Sequence, residues 1–368
     1  MRIAFSITDM SGGGAARVAA VLSNEWQAMG HEVHLVTFES PGTPPFFKVD
    51  DRVVRHQLAA VRSGGGPLGF VQVNVQRVFR VRQVFKTIRP DISISFLLEA
   101  NVVSVLAARG LQIPTIVAER NHPGHHRLPP LKAALRKILY GWADAVCVQT
   151  REIGDWFARH AGLETTVIPN PAPPPARDRL TKTESAYSRR TVVGLGRLEP
   201  QKGFDRLIDA FAVVAADHQD WELVIYGEGA ERKRLESQVE RLGLDGRIVL
   251  PGVIDRPETQ LQQADLFAHT AHYEGYPNAI IEAAAAGRCI VAMDSPGAAR
   301  EILEEDDCGV LVPDGDIKGL ASQMSLLMQA PEARAAYGAR AQARVARLSP
   351  PTIAREWIDL ARQIRASI

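Results

Sequence analysis

Residues 168–175 read Ile168-Pro169-Asn170-Pro171-Ala172-Pro173-Pro174-Pro175, and a charged stretch containing Ser and Thr follows over 176–190. Proline fixes φ and has no amide proton to give to a sheet, so this segment cannot be a core strand and reads as an interdomain linker. On either side of it, short β-branched runs alternate with longer helical patterns, as parallel sheets built from βαβ units require. Before the linker, strands are expected at 2–8, 32–38, 52–58, 91–96, 113–118, 144–149 and 165–168. After it they are expected at 191–196, 221–226, 247–250, 264–268, 289–293 and 309–312, with three helical segments to finish. The first helix, about 15–29, carries Val18, Val21, Leu22 and Met29 at helical spacing and stops at Gly30. The fold class that follows is α/β: two tandem doubly wound, Rossmann-like domains, 1–170 and 171–350. Ligands of such sheets sit beyond the carboxyl ends of the strands, so two domains facing a cleft would suit two substrates.

A length of 368 residues exceeds one ordinary core and agrees with two domains. Hydrophobic residues at 46% and charged residues at 23% are those of a soluble globular chain, and exclude disordered, collagen-like and membrane-embedded classes. The apolar run within Met1–Asp9 is too short for a signal peptide and reads as a first strand. Cys147, Cys289 and Cys308 lie far apart with no CxxC or Cys/His spacing, so neither a zinc site nor a disulfide framework is implied, and a reducing cytoplasm is the expected setting. Net charge is +1 but unevenly spread: 19 Lys and Arg against 13 Asp and Glu over 1–170, then 24 against 29. The basic first half is either a solvated face or a surface for something anionic, such as phospholipid or a pyrophosphate-linked acceptor.

Three glycine-rich turns follow expected strands: Ser11-Gly12-Gly13-Gly14, Gly194-Leu195-Gly196-Arg197 and Gly227-Glu228-Gly229. None completes the dinucleotide fingerprint, because Arg17, Glu199 and Arg232 occupy the final glycine positions, and this disfavours a nicotinamide dehydrogenase. No Walker A sequence is present, so kinase and NTPase chemistry lack their main signature. Such glycines either let a backbone approach a phosphate or sugar, or simply punctuate a strand-to-helix turn.

Two segments are more specific. In Gly194-Leu195-Gly196-Arg197-Leu198-Glu199-Pro200-Gln201-Lys202-Gly203, Arg197 leaves the strand end and Lys202 opens the next helix, so two cations can converge. A diphosphate leaving group requires such cations, since charge grows on its bridging oxygen; the alternative is two solvated side chains. In the segment His272–Gly287, Glu274 sits on a loop, Gly275, Tyr276 and Pro277 form a turn, and a helix begins near Asn278 and Ala279. The helix start is an anion site. Glu282 lies about one turn inside this apolar helix, where a carboxylate needs a partner, and the hydroxyl pair of a ribose would supply one. The alternative is two unrelated solvated acids. Over 127–142, Leu131, Leu135, Ile138, Leu139 and Trp142 line one helical face with Lys132, Arg136 and Lys137 off it, a pattern that serves either a core or an anionic membrane surface.

Residues 190–315 resemble the donor-binding half of the family 4 retaining glycosyltransferases, whose pattern G-R-L-x-x-x-K-G, then G-x-G, then E-G-x-P-x-x-x-x-E is matched throughout. Gly13-Gly14-Ala15-Ala16-Arg17-Val18 is similar to the family's G-G-A-E-R-V start, with Ala16 in place of glutamate. The resemblance implies a GT-B fold, an acceptor-binding first domain and a donor-binding second, with the last helix, 351–368, crossing back onto the first. It carries Arg197 and Lys202 onto the donor diphosphate, Glu274 near the transferred sugar and Glu282 onto the ribose. The amides after Glu274, from Gly275 to Ala279, would contact sugar and phosphate. Gly13 and Gly14 would close over the diphosphate, Gly196, Gly227 and Gly229 would let backbone approach the donor, and the base would rest near Gly252 and Val253. Many members place a histidine after the strand corresponding to 115–118. Here the chain reads Ala118-Glu119-Arg120-Asn121-His122-Pro123, so Arg120 takes the equivalent position and His122 is the other candidate. His122, His125 and His126 lack a carboxylate frame, so a polar loop is expected there and no metal.

The expected activity is retaining transfer from a nucleotide diphosphate sugar, UDP in preference to GDP-mannose, to an acceptor hydroxyl. The implied acceptor is a glycan or lipid-linked oligosaccharide or a polysaccharide precursor. No cofactor and no nucleic acid partner is expected; the setting is cytoplasmic, with peripheral contact with the inner face of an anionic membrane as the alternative to a purely core role for 127–142. The rivals are a sugar-nucleotide epimerase or a phosphorylase on the same scaffold, and a non-catalytic nucleotide-sugar-binding protein.

Overall fold

The computed structural model describes residues 1–59, 67–125, 128–173, 187, 189–254, 256–297, 299–304 and 307–367. Most of the expected linker tail, 174–186, and His126 lie outside the described residues. The chain divides into two compact units, Met1–Pro171 with Pro350–Ile368, and Ala172–Ser349.

In the first unit seven strands form one parallel sheet: β1 (Arg2–Ser6), β2 (Glu32–Thr37), β3 (Val54–Gln57), β4 (Ile92–Phe96), β5 (Thr115–Ala118), β6 (Ala145–Val148) and β7 (Thr166–Val167). Their order is β3-β2-β1-β4-β5-β6-β7. Helices α1 (Gly13–Ala28), α2 (Pro67–Ile88), α3 (Leu98–Ala108), α4 (Pro130–Tyr140) and α5 (Arg151–Ala161) connect them. Every residue of β4, Ile-Ser-Ile-Ser-Phe, is buried, as in a parallel sheet with both faces covered.

The second unit holds β8 (Arg190–Leu195), β9 (Trp221–Tyr226), β10 (Ile248–Gly252), β11 (Leu266–His269), β12 (Cys289–Asp294) and β13 (Val310–Pro313), again all parallel, in the order β10-β9-β8-β11-β12-β13. Helices α6 (Phe204–Val214), α7 (Arg232–Arg241), α8 (Pro257–Gln263), α9 (Asn278–Ala285), α10 (Ala299–Leu303), α11 (Ile317–Gln329) and α12 (Pro331–Ala346) cover it. Ala172 is buried in this unit's core and its amide donates to the Leu348 carbonyl at 2.7 Å.

The last helix, α13 (Pro350–Ala366), belongs to the first unit. Trp26 of α1 donates its indole N–H to the Ala354 carbonyl at 3.1 Å, and the Trp357 ring lies 5.6 Å from that of Phe96 on β4. Both tryptophans are buried, so the helix is held by aromatic area with one satisfied polar atom.

In each sheet the strand order reverses once, between β1 and β4 and between β8 and β11. Loops leaving the carboxyl ends of such neighbouring strands diverge to opposite faces and open a crevice, which is where doubly wound sheets bind ligands. Two local expectations are corrected. Arg190 opens β8 and is not part of the linker. Lys202 does not open a helix: it closes a 3₁₀ turn, Pro200–Lys202, and α6 starts only after Gly203 at φ 60°, a conformation favouring glycine. Among the described residues no helix is long and apolar enough to cross a membrane.

Candidate active site

At the carboxyl ends of β8, β9 and β10 the glycine turns are bonded to each other. The Gly196 amide donates to the Tyr226 carbonyl at 3.0 Å, Gly227 to Gly252 at 2.8 Å, and Leu198 to Glu228, just before Gly229, at 2.8 Å. A Cβ on Gly227, which has φ 140°, would fall 1.8 Å from the Gly196 oxygen. That contact requires glycine for backbone close approach, whatever else the turn binds. Val253, next to this cluster, is exposed.

The turn after β8 is stitched to the loop after β11. The His272 amide donates to the Gln201 carbonyl at 2.8 Å, the Gln201 side-chain amide to the Tyr273 carbonyl at 3.0 Å, and the Thr270 hydroxyl to the Lys202 carbonyl at 3.3 Å. The Glu274 amide is held by the Pro296 carbonyl at 3.0 Å. The Lys202 stem lies along Gly196, where a Cβ would meet its Cδ and Cε at 3.4 Å. Its Nζ donates to Glu274 Oε1, and the two side chains are only 18% and 10% exposed. A charged pair this sheltered keeps much of its Coulombic strength but requires both partners, since either one alone would be a nearly buried charge.

One member of this cluster carries no motif. His269, the last residue of β11, is buried, and its Nε2 lies 3.9 Å from Glu274 Oε1 with no hydrogen-bond partner. Burial, and then the nearby Lys202 charge, push its pKa down to about 3, so the ring is neutral.

Arg197 takes another course. It is exposed and donates to Glu199 Oε1 at 2.8 Å, so each of the two cations meets a carboxylate of its own. Glu282 is buried on α9 among Ile280, Ile281 and Ala283. At the head of that helix Asn278 donates its amide to the Tyr276 carbonyl at 2.9 Å, Pro277 accepts from Ile280 at 3.0 Å, and Tyr276 and Ala279 pack on the core below. Gly275 is the residue between Glu274 and this turn.

In the first unit Gly13, at φ 81°, and Gly14 open α1 beyond β1. Beyond β5, Glu119, Arg120 and His122 are all buried. The Gly124 amide donates to His122 Nδ1 at 3.2 Å, so Nε2 carries the proton and donates it to Glu152 Oε1 at 3.1 Å. The expectation of a loose polar loop is thereby corrected for His122, because a glutamate from α5 reaches it. Arg120 donates to Asn170 Oδ1 and lies 4.2 Å above the Phe96 ring. Glu119 Oε2 accepts from the Tyr140 hydroxyl at 3.3 Å and pairs with Arg136 at 3.7 Å. Arg136 is thus buried, not on a polar face. The apolar stripe of α4 splits as well: Leu139 is buried, whereas Leu135, Ile138 and, just beyond the helix, Trp142 are exposed, with the Arg109 guanidinium 4.9 Å from the Trp142 ring. Among the described residues no group of three or more His, Cys, Asp or Glu could hold a metal ion.

Two family models match this chain, the Glycosyl transferase 4-like domain over residues 13–171 and Glycosyl transferases group 1 over 178–344. The chain belongs to the group 1 glycosyltransferases of family 4 type and is an enzyme of that transferase class. An N-acetyl-D-galactosaminyltransferase of Campylobacter jejuni, named for a PP-undecaprenol-linked glycan, is 24% identical over 99% of both chains. Among solved structures, sucrose-phosphate synthase from Thermosynechococcus elongatus superposes with a TM-score of 0.87 at 19% identity, each chain covered in full. Anabaena HepE in complex with UDP gives 0.81 at 20% identity, over 99% of this chain and 100% of its own. At these identities the likeness defines the fold, which is GT-B.

Proposed function

We propose that this glycosyltransferase moves a sugar, with retention of configuration, from a nucleotide diphosphate sugar to an acceptor hydroxyl. The second unit binds the donor and the first the acceptor. The observation that carries the reading is the sheltered Lys202–Glu274 pair, set where loops leave β8 and β11 at the switch point of the second sheet. Lys202 meets the donor diphosphate and Glu274 the hydroxyls of the transferred sugar; Arg197 swings from Glu199 to add a second cation. Glu282 binds the ribose, and the Gly275 and Tyr276 amides ahead of α9 turn to sugar and phosphate. In the reaction the bond from C1 of the sugar to the diphosphate oxygen breaks with its electron pair going to that oxygen. The acceptor oxygen adds to the same face of C1, and the acceptor proton passes to the departing diphosphate. No side chain acts as a nucleophile.

UDP is favoured over GDP by the UDP bound in HepE. A lipid-linked oligosaccharide or polysaccharide precursor is favoured as acceptor by the PP-undecaprenol in the name of the Campylobacter relative. Exposed Leu135, Ile138 and Trp142, beside Lys132 and Lys137, suit peripheral contact with an anionic membrane. His122, held by Gly124 and Glu152, and Arg120, held by Asn170, both stand beyond β5 as candidates to meet a substrate hydroxyl, each by exchanging one of those bonds. The test is a thermal-shift screen of nucleotide sugars followed by proton NMR of the product formed with the best donor. An α-linked product from an α-linked donor is expected. A β-linked product, or conversion of the donor to its epimer without acceptor, contradicts the proposal.

A further inference from the structure

The Lys202–Glu274 pair raises a problem of charge once a donor enters. When Lys202 turns to the diphosphate, Glu274 Oε1 gives up its charged donor, and the sugar hydroxyls proposed above leave a sheltered carboxylate with acceptor capacity for one more. The group that can take over is already beside it. His269 is 5% exposed, its Nε2 is 3.9 Å from Glu274 Oε1, and this nitrogen has no other hydrogen-bond partner. Strand and loop geometry fix both ends: His269 terminates β11, between Leu266–Ala268 in the core and the stitched loop, while Glu274 is tethered through its amide to Pro296. A closure of about 1 Å would bring the two atoms within ordinary hydrogen-bond distance.

Resting on the donor site proposed above, we infer that His269 is a positioning residue for Glu274: a neutral imidazole that donates its Nε2–H to the carboxylate when Lys202 turns to the donor diphosphate. His269 touches no substrate. It keeps Glu274 hydrogen-bonded and aimed while its cation is engaged elsewhere. A protonated ring would add a second positive charge next to Lys202, and burial opposes that. A glutamine at 269 could present an N–H at a similar reach, whereas a leucine could fill the space but not donate.

The test compares His269→Gln and His269→Leu with wild type, using whichever of UDP-glucose, UDP-N-acetylglucosamine, UDP-N-acetylgalactosamine and GDP-mannose gives the fastest release of nucleoside diphosphate. His269→Leu should lose about tenfold or more in kcat with donor KM within a factor of about two, and His269→Gln should recover most of it, since the lost interaction is a hydrogen bond to a charged group. In a Glu274→Gln background, His269→Leu should cost little further. Equal kcat for wild type and a folded His269→Leu, or equal losses for Leu and Gln, overturns the inference. Lys202→Ala and Glu274→Gln run alongside separate the two levels: if both lower turnover and His269→Leu does not, only the role of His269 fails, and if neither does, the donor site fails and takes this inference with it. Nitrogen NMR of the wild-type imidazole is independent of any variant's folding. A proton on Nε2 of His269 at pH 7 in the presence of UDP is expected, and the Nδ1–H form overturns the assignment.

Discussion

Lys202 and Glu274, 72 residues apart in sequence, share a hydrogen bond in the second unit because the turn after β8 and the loop after β11 are laced together by backbone and amide contacts. Those strands are neighbours at the point where the sheet order reverses. The pair is therefore a product of topology, and the proposed chemistry depends on its being there before any donor arrives.

The two glutamates should fail in different ways. Glu282, on a helix and directed at ribose in the proposed site, contributes binding that is similar in ground and transition states, so Glu282→Gln should raise donor KM more than it lowers kcat. Glu274→Gln should depress kcat more strongly. Effects of roughly ten- to a hundredfold are expected at each position. Identical kinetic signatures in two variants with wild-type melting temperatures would contradict the division.

Chelation should leave the enzyme active. The diphosphate charge is assigned to Lys202, Arg197 and the amides ahead of α9, and the described residues hold no cluster of three metal-ligating side chains. Turnover in EDTA within twofold of the untreated enzyme is the expected result; loss on chelation with recovery on added manganese would overturn it.

Acid should destabilise wild type more than a variant lacking His269. Its folded pKa, about 3, lies below the ordinary histidine value, so the unfolded chain binds the extra proton first. The stability is complete above about pH 6.5 and is lost as pH falls from there toward 3. Between pH 7 and pH 5 the difference between wild type and His269→Gln should move by about 2 kcal/mol against wild type. Denaturation at the two pH values checks this; a pH-independent difference would contradict it.

Gly227→Ala should harm the fold irrespective of any ligand. Its Cβ would lie 1.8 Å from the Gly196 carbonyl at a backbone angle of φ 140°, and neither obstacle is a movable side chain. A loss of about 2 kcal/mol or more is expected, read from denaturant melts. A melt superimposable on wild type would show that the β8 and β9 turns can separate.

Most strands were legible as short apolar runs bounded by Gly, Pro or polar residues, whereas β3, Val54-Arg55-His56-Gln57, is largely polar. Cys289–Asp294 is one of the apolar runs, and all but its last residue are buried. What local spacing could not reach were pairings across the fold. Arg136 falls on the polar side of its helical wheel, yet buried Glu119 beyond β5 draws it inward. His122 looks like part of a loose histidine cluster until Glu152 arrives from α5. The motif around Glu274 was readable from its turn and helix start, but its direct bond to Lys202 was not, since nothing in either segment encodes the lacing between them. His269 left the faintest trace: one polar residue closing the apolar run Leu266-Phe267-Ala268, without period or motif. A polar side chain at the carboxyl end of a strand next to a switch point is the signal that could have marked it.

The most direct test of the donor site is the turnover of Lys202→Ala with the best nucleotide sugar. If Lys202 neutralises the departing diphosphate, kcat should fall by about a hundredfold, as for removal of one preorganised electrostatic donor, in a protein that still folds but melts lower because Glu274 loses its partner. Wild-type kinetics in a folded Lys202→Ala enzyme would contradict the assignment, and the Lys202–Glu274 pair would then be structural.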